Sequence, residues 1–334
     1  MKIIYEDRHI LVCEKEAGIP VQSASVRVKT LTDEVRAHLG GADVWVVHRL
    51  DQPVCGLVVY ALDARCAAAL SAQVGAGTDS SGKPRGGRQM EKTYLALVRC
   101  RGDAVSGKSA RTGGTDDVFR DGNLHMIRLE HMLLKDSKTN LSRVVSGKTK
   151  GAKKAALEYG IAGSWNWDGE HGWTPDGSSI RDPEAFEAAG RIFACHMQQE
   201  AARFQAQQDG AFPPAQDAPG KGAGMRKDGR VRKGSGTPAE EDTGQNGRER
   251  LTALRIRLLT GRHHQIRVQL SAAGMPILGD HKYAGPSGNT ASAPAGDRQN
   301  QYGFPALCAW QLALVHPADG RKLTFRFQEH RSYE

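Results

Sequence analysis

The stretch VVHRLDQPVCGLVVY, residues 46–60, places charged side chains between two runs that are typical of buried β-strand. Arg49 and Asp51 are two positions apart, so in an extended backbone their side chains lie on the same face. A carboxylate that is held in a cleft and flanked by cations stays ionised and is suited to act as a nucleophile or an electrostatic stabiliser. The alternative is an ordinary salt bridge at a strand end, and the letters HRLD alone leave both interpretations open.

Working outward from this stretch, further segments of the same β type recur along the chain. Their apolar and β-branched residues predict strands at 2–5, 10–14, 44–48, 56–61, 92–98, 124–134, 153–161, 252–259, 306–315 and 321–327. Helices are predicted at 62–74, where helix-forming residues are continuous, and at 263–273, which stops at Gly274 with Pro276 beyond it. The chain is therefore predicted to be α+β, with strands dominant.

The composition favours a polyanionic partner, with nucleic acid first. Lys and Arg number 46 against 37 Asp and Glu, which gives a net charge of +9. The start, MKIIYEDRHILVCE, has no cationic leader before an apolar run, and no apolar stretch approaches the roughly 18 residues of a membrane span. The six cysteines are scattered without a C-x-x-C pair, which favours a reducing compartment and argues against structural zinc. We expect a cytoplasmic protein that does not enter membranes.

Segments rich in glycine, serine and charge are predicted to be loops or insertions, at 75–90, 101–123 and 205–250. The last has almost no apolar content to offset the entropy of ordering, so we expect it to be disordered. Its cationic cluster allows two interpretations, an arm that contacts RNA or a solubilising linker. This cluster consists of Arg226, Lys227, Arg230, Arg232 and Lys233. The preceding segment, 162–204, has three tryptophans and a helix-like end, and its sequence suggests no task.

A candidate arginine lies in the predicted helix 263–273. Ile266, Leu270 and Ala273 have helical spacing and should face the core, whereas Arg267 lies at the border of that stripe. A border arginine needs a partner, and a carboxylate in a neighbouring cleft would bind it in a bidentate geometry that lysine cannot match. The alternative is a solvent-facing arginine on a basic helix.

A candidate tyrosine lies in KTYLALV, residues 92–98. Tyr94 shares a strand face with Lys92 and is therefore predicted to border a cleft, where it could stack on a base and take part in proton transfer. The alternative is a tyrosine that only packs. The adjacent His263 and His264 could suggest a metal site, but neighbours on a helix point about 100° apart and no third ligand follows.

Taken together and in this order, these segments resemble the RluA family of RNA pseudouridine synthases, in the form without an N-terminal S4 domain. IIYEDRHILVCEKEAGIPVQS is similar to the family's opening strands and K-P-A-G-x-P-V turn, and HRLDQPVCG is similar to H-R-L-D-x-x-T-S-G. EKTYLALV resembles the tyrosine motif, LLTGRHHQIRVQL with PILGDHKYAG the third motif, and AWQLALVHPADGRKLTF the closing strands. The sequence departs from these motifs at Glu16, Val54, Cys55, His263 and Gln269.

The resemblance implies a mixed, largely antiparallel, bent β-sheet with flanking helices and a central catalytic cleft. It covers about residues 1–161 and 251–328, which would be two parts of one catalytic domain, with 162–250 as an insertion. The implied activity is isomerisation of specific uridines in structured RNA to pseudouridine, with ribosomal RNA favoured over transfer RNA. The implied enzyme needs no cofactor and no metal, and we expect it to act as a monomer.

The resemblance also implies roles for single residues. Asp51 would act at C1′ of the target uridine while the glycosidic bond breaks, and Arg267 would pair with it. Tyr94 would pack on the uracil and help to remove the C5 proton, and Arg49 would fill the space that the flipped uridine leaves in the RNA stack. Further predicted RNA contacts are His48, Arg262 and His264. Two alternatives stay open, namely a non-catalytic RNA-binding protein with the same fold and a glycosylase that releases free uracil.

Overall fold

The computed structural model describes residues 1–75, 90–100, 118–167, 173–192, 194, 250–283 and 304–328. Within these ranges the strands are β1 (Lys2–Glu6), β2 (Ile10–Lys15), β3 (Trp45–Val46), β4 (Cys55–Ala61), β5 (Glu91–Cys100), β6 (Val118–Asp121), β7 (Leu124–Asp136), β8 (Leu141–Val145), β9 (Lys153–Trp167), β10 (Trp173–Pro175), β11 (Arg250–Leu258), β12 (Leu307–Val315) and β13 (Lys322–Arg326). The helices are α1 (Leu31–His38), α2 (Ala64–Gly75), α3 (183–192) and α4 (Gln265–Ala272).

All of these strands belong to one sheet. Its order is β1-β2-β4-β12-β5-β11-β9-β7-β6, and β3, β8, β10 and β13 pair with β4, β7, β9 and β12 in turn. The pairing of β12 with β4 is parallel, whereas the other described pairs are antiparallel. The predicted α+β fold with a mixed, largely antiparallel sheet is therefore confirmed.

Strand β4 shows why the segment after HRLD had to be a buried strand. Its sequence, CGLVVYA, is apolar on both faces, and alternate side chains enter two different cores. Val58 and Tyr60 pack in the larger cluster, while Leu57 and Val59 pack in the smaller one beside α2. Full burial of each such aliphatic side chain contributes roughly 1.5–3 kcal/mol, so β4 is a central support of the sheet.

Gly56 lets β4 and β12 approach each other closely. Its φ is +130°, and a Cβ added there would lie 2.5 Å from the backbone N and O of Ala309. Only glycine adopts this conformation without strain and without a clash. The close approach occurs five residues after Asp51 and therefore ties the loop that carries this carboxylate to the centre of the sheet.

Helix α1 lies in a region for which the sequence analysis predicted no element. Its signal is a capping box, since the Thr30 side chain accepts from the Asp33 backbone N–H and the Asp33 side chain accepts from the Thr30 backbone N–H. The short strands β6, β8 and β10 were also not predicted. Strand β6 lies inside 101–123, which was expected to be a loop.

Strand β9 runs through the predicted segment boundary at residue 161 and ends at Trp167. Trp165 stacks on Phe186 of α3 with ring centroids 4.2 Å apart, so the described part of 162–192 packs on the same sheet. The chain returns to this sheet in β11, where Arg250 pairs in register with Asn166. The cationic cluster at 226–233 lies outside the described residues, and the division into domain segments stays a prediction.

Candidate active site

Asp51 lies in the loop between β3 and β4, next to a buried lysine that fixes this loop. Lys15 ends the otherwise apolar strand β2 and is fully buried. Its Nζ donates to the carbonyl oxygens of Glu16 at 2.8 Å, Ile19 at 2.7 Å and Gln52 at 3.0 Å. Burial lowers the pKa of Lys15 to about 8, although the charge of Asp51 opposes this shift. Lys15 thus joins the 16–19 turn to the residue that follows Asp51, a role that the sequence analysis missed.

Arg267 approaches Asp51 from α4, as predicted, but its bidentate partner is a different carboxylate. Its Nε donates to Asp280 Oδ2 at 2.7 Å and its Nη2 to Asp280 Oδ1 at 2.6 Å, with both side chains buried. The remaining nitrogen, Nη1, lies 3.8 Å from Asp51 Oδ2. Asp280 belongs to the PILGD segment and was not among the predicted site residues. It fixes the guanidinium plane, so that Arg267 presents a defined edge to Asp51.

The carboxyl group of Asp51 is accessible from solvent, since its side chain keeps 30% of its surface exposed. Burial of the rest raises its pKa, and the neighbouring charge of Asp280 adds to this shift. Arg267, Lys15 and Lys282 oppose it without reversing it. Desolvation is therefore the largest influence on the pKa of Asp51, and the three cations offset only part of it.

His264 contributes a second contact to Asp51. It has φ 52° and ψ 26°, a left-handed conformation that positions its ring just before α4. Its Nε2 lies 3.7 Å from Asp51 Oδ2, and its Nδ1 lies 2.7 Å from the hydroxyl of Tyr283. Burial, followed by the charge of Arg267, lowers its pKa to about 3, so the imidazole is neutral. His264 was predicted to bind RNA, whereas the structure buries it behind Asp51.

His263 and Gln269, two departures from the family motifs, both have hydrogen-bonding partners near this site. His263 stacks on His264 with ring centroids 3.7 Å apart, and its Nδ1 lies 2.9 Å from the Ser142 hydroxyl. The Gln269 amide nitrogen is buried 3.1 Å from His131 Nδ1. His263 and the Gln269 amide nitrogen therefore have polar partners, whereas the buried Gln269 Oε1 has none.

Tyr94 is positioned by β5 and is buried, as one of the side chains that pack in the larger core. Burial raises the pKa of its hydroxyl well above the ordinary range, and the charge of Asp51 adds to the shift. The phenol therefore stays protonated at neutral pH. A protonated phenol can pack against a base and relay a proton, but it is not itself a strong base.

The remaining predicted RNA contacts fall into two groups. Arg49 and Arg262 are exposed. The backbone of β9 holds Arg262, whose Nε donates to the Lys154 carbonyl at 3.0 Å. His48 is buried, and its Nε2 accepts from the Val59 backbone N–H at 3.3 Å. Burial lowers the pKa of His48 well below its usual value. The His48 ring is thus part of the core, and contact with RNA is not expected of it.

One group of potential metal ligands occurs among the described residues. Donor atoms of His9, Asp63 and Cys66 all lie within 4.8 Å of one another. Asp63 Oδ1 accepts from the Cys66 backbone N–H at 2.7 Å at the start of α2, and this bond is the main cause that lowers its pKa to about 2. Capping of the helix is a sufficient reason for the arrangement. That the protein needs no metal stays a prediction.

The comparison with known families decides the assignment. The family model described as RNA pseudouridylate synthase matches residues 9–272, a range that contains Asp51, Tyr94 and Arg267. The chain belongs to this family. The predicted likeness to RluA-type pseudouridine synthases is confirmed.

Curated members of the pseudouridine synthase group match shorter stretches. The chain is 33% identical over 106 residues to tRNA pseudouridine synthase C of Pectobacterium carotovorum, which is 30% of this chain and 24% of that protein. It is 44% identical over 72 residues to ribosomal large subunit pseudouridine synthase D of Nitrosomonas europaea, 22% of this chain and 20% of that protein. It is 41% identical over 71 residues to dual-specificity RNA pseudouridine synthase RluA of Escherichia coli, 21% of this chain and 28% of that protein. The matches thus span about a quarter of the length of these relatives.

A solved structure extends the likeness to the fold of the whole chain. Human RNA Pseudouridylate Synthase Domain Containing 1 superposes with a TM-score of 0.50 at 15% identity, over 98% of this chain and 83% of that one. This likeness supports the pseudouridine synthase fold. Among the helices of the described ranges, none is long and apolar enough to cross a membrane.

Proposed function

We propose that the protein isomerises uridine to pseudouridine in structured RNA. The observation that carries this proposal is the environment of Asp51, a partly exposed carboxylate that Arg267 faces at 3.8 Å and His264 at 3.7 Å. Tyr94 is buried on β5, and the charge of Asp51 adds to the effect of burial in raising the pKa of its hydroxyl. Membership of the RNA pseudouridylate synthase family supports the assignment of this site.

In the proposed reaction, Asp51 acts at C1′ of a flipped uridine while the N-glycosidic bond breaks. The freed uracil rotates against Tyr94 and is rejoined to C1′ through C5. The C5 hydrogen leaves as a proton, and N1, which has lost the sugar, takes up a proton. Reactant and product are isomers, so the step needs no oxidant, reductant or co-substrate. Arg267 keeps Asp51 oriented and favours its charged form against the effect of burial.

The proposed RNA contacts begin at Arg49, which is exposed two residues before Asp51. A long cationic side chain there can enter the stack when the uridine leaves it, because the enzyme must unstack the base before it reaches C1′. The net charge of +9 adds attraction to the phosphate backbone. Arg262, also exposed, extends this basic surface on the segment that leads to α4.

For the substrate we propose ribosomal RNA first and transfer RNA second, since the similar proteins include a ribosomal large subunit pseudouridine synthase and a tRNA pseudouridine synthase. We propose that the enzyme acts as a cytoplasmic monomer. Support for the compartment comes from Cys13, Cys55, Cys66 and Cys308, which are all free thiols.

The test is a map of pseudouridine in total ribosomal and transfer RNA from cells with and without this gene. We expect loss of one or a few pseudouridines, restored by the wild-type gene and by Asp43→Asn, which alters an exposed carboxylate. Asp51→Asn should not restore them. An unchanged map together with intact RNA binding would favour a non-catalytic RNA-binding protein, and release of free uracil would favour a glycosylase.

A further inference from the structure

Behind Asp51 the structure contains a chain of polar contacts that the proposed reaction does not use. The Ser142 backbone N–H donates to the Tyr283 hydroxyl at 2.8 Å. The same hydroxyl lies 2.7 Å from His264 Nδ1, and His264 Nε2 lies 3.7 Å from Asp51 Oδ2. This series of contacts thus connects strand β8 with the candidate catalytic carboxylate through the side chains of Tyr283 and His264.

The Ser142 backbone N–H limits where the hydrogen atoms in these contacts can lie. A backbone N–H can only donate, so the Tyr283 oxygen accepts from Ser142. The proton of Tyr283 can then be donated to its other neighbour, His264 Nδ1. A neutral imidazole with an accepting Nδ1 carries its hydrogen on Nε2. This hydrogen lies on the nitrogen that faces Asp51.

The surroundings of His264 favour a neutral ring in this tautomer. The cationic groups that affect it are Arg267, Lys282 and Lys135, and the other titratable neighbours are His263, Tyr283 and Asp51. A second positive charge beside Arg267 would be unfavourable in so buried a position. His263 stacks on one face of the ring and itself bonds to Ser142, while Tyr283 meets the ring edge-on. The ring orientation is therefore fixed from two sides.

We propose that Tyr283 and His264 form a positioning relay, in which the Tyr283 hydroxyl holds His264 as the Nε2–H tautomer and so directs this neutral N–H group towards Asp51 Oδ2, 3.7 Å away. This inference rests on the proposed function, because it assigns the relay to the reacting carboxylate. The shortest contacts of His264 and Arg267 both end on Oδ2 of Asp51. His263, Ser142 and Tyr283 act through His264 and are positioning residues.

A neutral donor has a chemical advantage over a further cation at this place. Asp51 has to be ionised when it meets the substrate. Its negative charge must then decrease as it acts at C1′ while the N-glycosidic bond breaks. A second cation would stabilise the free Asp51 carboxylate more than the reacting one and would raise the activation free energy. A neutral N–H group orients the carboxylate and raises the activation free energy less.

The tautomer can be measured on the full-length protein without any RNA. The chain is labelled with ¹⁵N in its histidines, and long-range ¹H–¹⁵N spectra are recorded between pH 5.5 and 8, where protonated and unprotonated ring nitrogens resonate apart. The signals of His264 are assigned as those that His264→Gln removes. We expect a neutral Nε2–H ring throughout. In Tyr283→Phe we expect a shift towards the Nδ1–H tautomer. A wild-type ring in the Nδ1–H form, or a charged ring at pH 6.5, would overturn the relay.

The second arm measures turnover of an RNA that the pseudouridine map identifies. In Tyr283→Phe we expect kcat to fall about tenfold, within the range of one lost hydrogen bond between neutral groups, with KM for RNA nearly unchanged. The matched control is Tyr60→Phe, which removes a buried hydroxyl that bonds to Thr32 in the core, and it should keep kcat. Equal losses in the two variants would contradict the relay. An inactive wild type with the Nε2–H tautomer present would instead contradict the proposed function.

Discussion

Arg267 binds Asp280 with two of its nitrogens and faces Asp51 with the third. The two carboxylates therefore have different tasks. Asp280 is buried with the arginine and fixes its plane, while Asp51 is partly exposed and meets the substrate. Asp280 accepts both short hydrogen bonds of Arg267, so Asp51 meets the arginine only through Nη1, at 3.8 Å.

Asp280→Asn tests this division. The amide keeps the size of the side chain but leaves the buried Arg267 without its bidentate partner, so we expect the free energy of unfolding to fall by roughly 3–5 kcal/mol. The measurement is a urea titration at pH 7.5. The control is Glu187→Gln, which breaks an exposed i,i+4 pair with Arg191 and should cost less than about 0.5 kcal/mol. Similar midpoints for the two variants would show that Asp280 does not hold Arg267.

Asp51→Asn is expected to abolish pseudouridine formation without lowering stability. Burial raises the pKa of Asp51 in the folded state, which means that its charged form is less favourable there than in the unfolded chain. Removing the charge should therefore leave the melting temperature at pH 7.5 equal to or above that of the wild type. The difference should shrink as the pH falls through the raised pKa, because the wild type then becomes protonated. A clearly lower melting temperature at pH 7.5 would contradict this account.

The pH dependence of kcat should have an acid limb from Asp51 alone. Asp51 has to be ionised to react, and its raised pKa moves the loss of activity to a higher pH than an ordinary aspartate with a pKa of 3.8 would give. His263 and His264, with pKa values lowered to about 4 and about 3 by burial, should add no step near neutrality. A histidine-like inflection near pH 6.5 that disappears in His264→Gln would count against this prediction.

An alkaline limb is expected from Lys15. Burial lowers its pKa to about 8, and loss of its proton removes one of three donors that hold the loop beside Asp51. Activity should therefore decline as the pH rises above about 8. Lys92 also has a pKa lowered to about 8 by burial, so Lys92→Met is the control. If this variant loses the alkaline limb, Lys92 and not Lys15 causes it.

Much of the fold could be read from the sequence because the sheet is buried on both faces. The apolar runs of β2, β4 and β12 have no helical spacing, and they became strands as predicted. Elements with a weaker pattern were missed. Helix α1 is only eight residues long and depends on its capping box, and β8 depends on pairing with β7 rather than on its own composition.

The site was predictable in its residues but not in its partners. Asp51 and Arg267 come together as the resemblance implied, whereas His264, predicted to contact RNA, lies beside Asp51 instead. Asp280 was missed since its partner lies 13 positions earlier, and sequence periodicity says nothing about contacts across a turn. Lys15 had a visible signal, a cation at the end of an apolar strand, which went unused. The burial of His48 and the raised pKa of Asp51 both depend on how neighbouring elements cover them, which only the three-dimensional structure shows.

Gly56→Ala should destabilise the protein strongly. The added Cβ would meet the backbone of Ala309 at 2.5 Å, and the φ of +130° is unfavourable for alanine. We expect a loss of at least about 3 kcal/mol in the free energy of unfolding, measured by urea titration. Gly177→Ala is the matched control, since a Cβ there meets nothing within 4 Å. A small effect of Gly56→Ala would mean that β4 and β12 can separate without cost.

The pairing of Asn166 with Arg250 has a practical consequence for protein engineering. After β10, which also pairs with β9, the chain leaves the sheet, forms α3 and returns to the sheet in β11, on the other side of β9. Closing a longer loop between two such fixed points costs only about 0.6 kcal/mol for each doubling of its length. The segment 205–249 is thus a suitable place for a fluorescent domain whose own termini are close together. Such a fusion would carry a reporter on the enzyme while leaving both ends of the polypeptide unmodified.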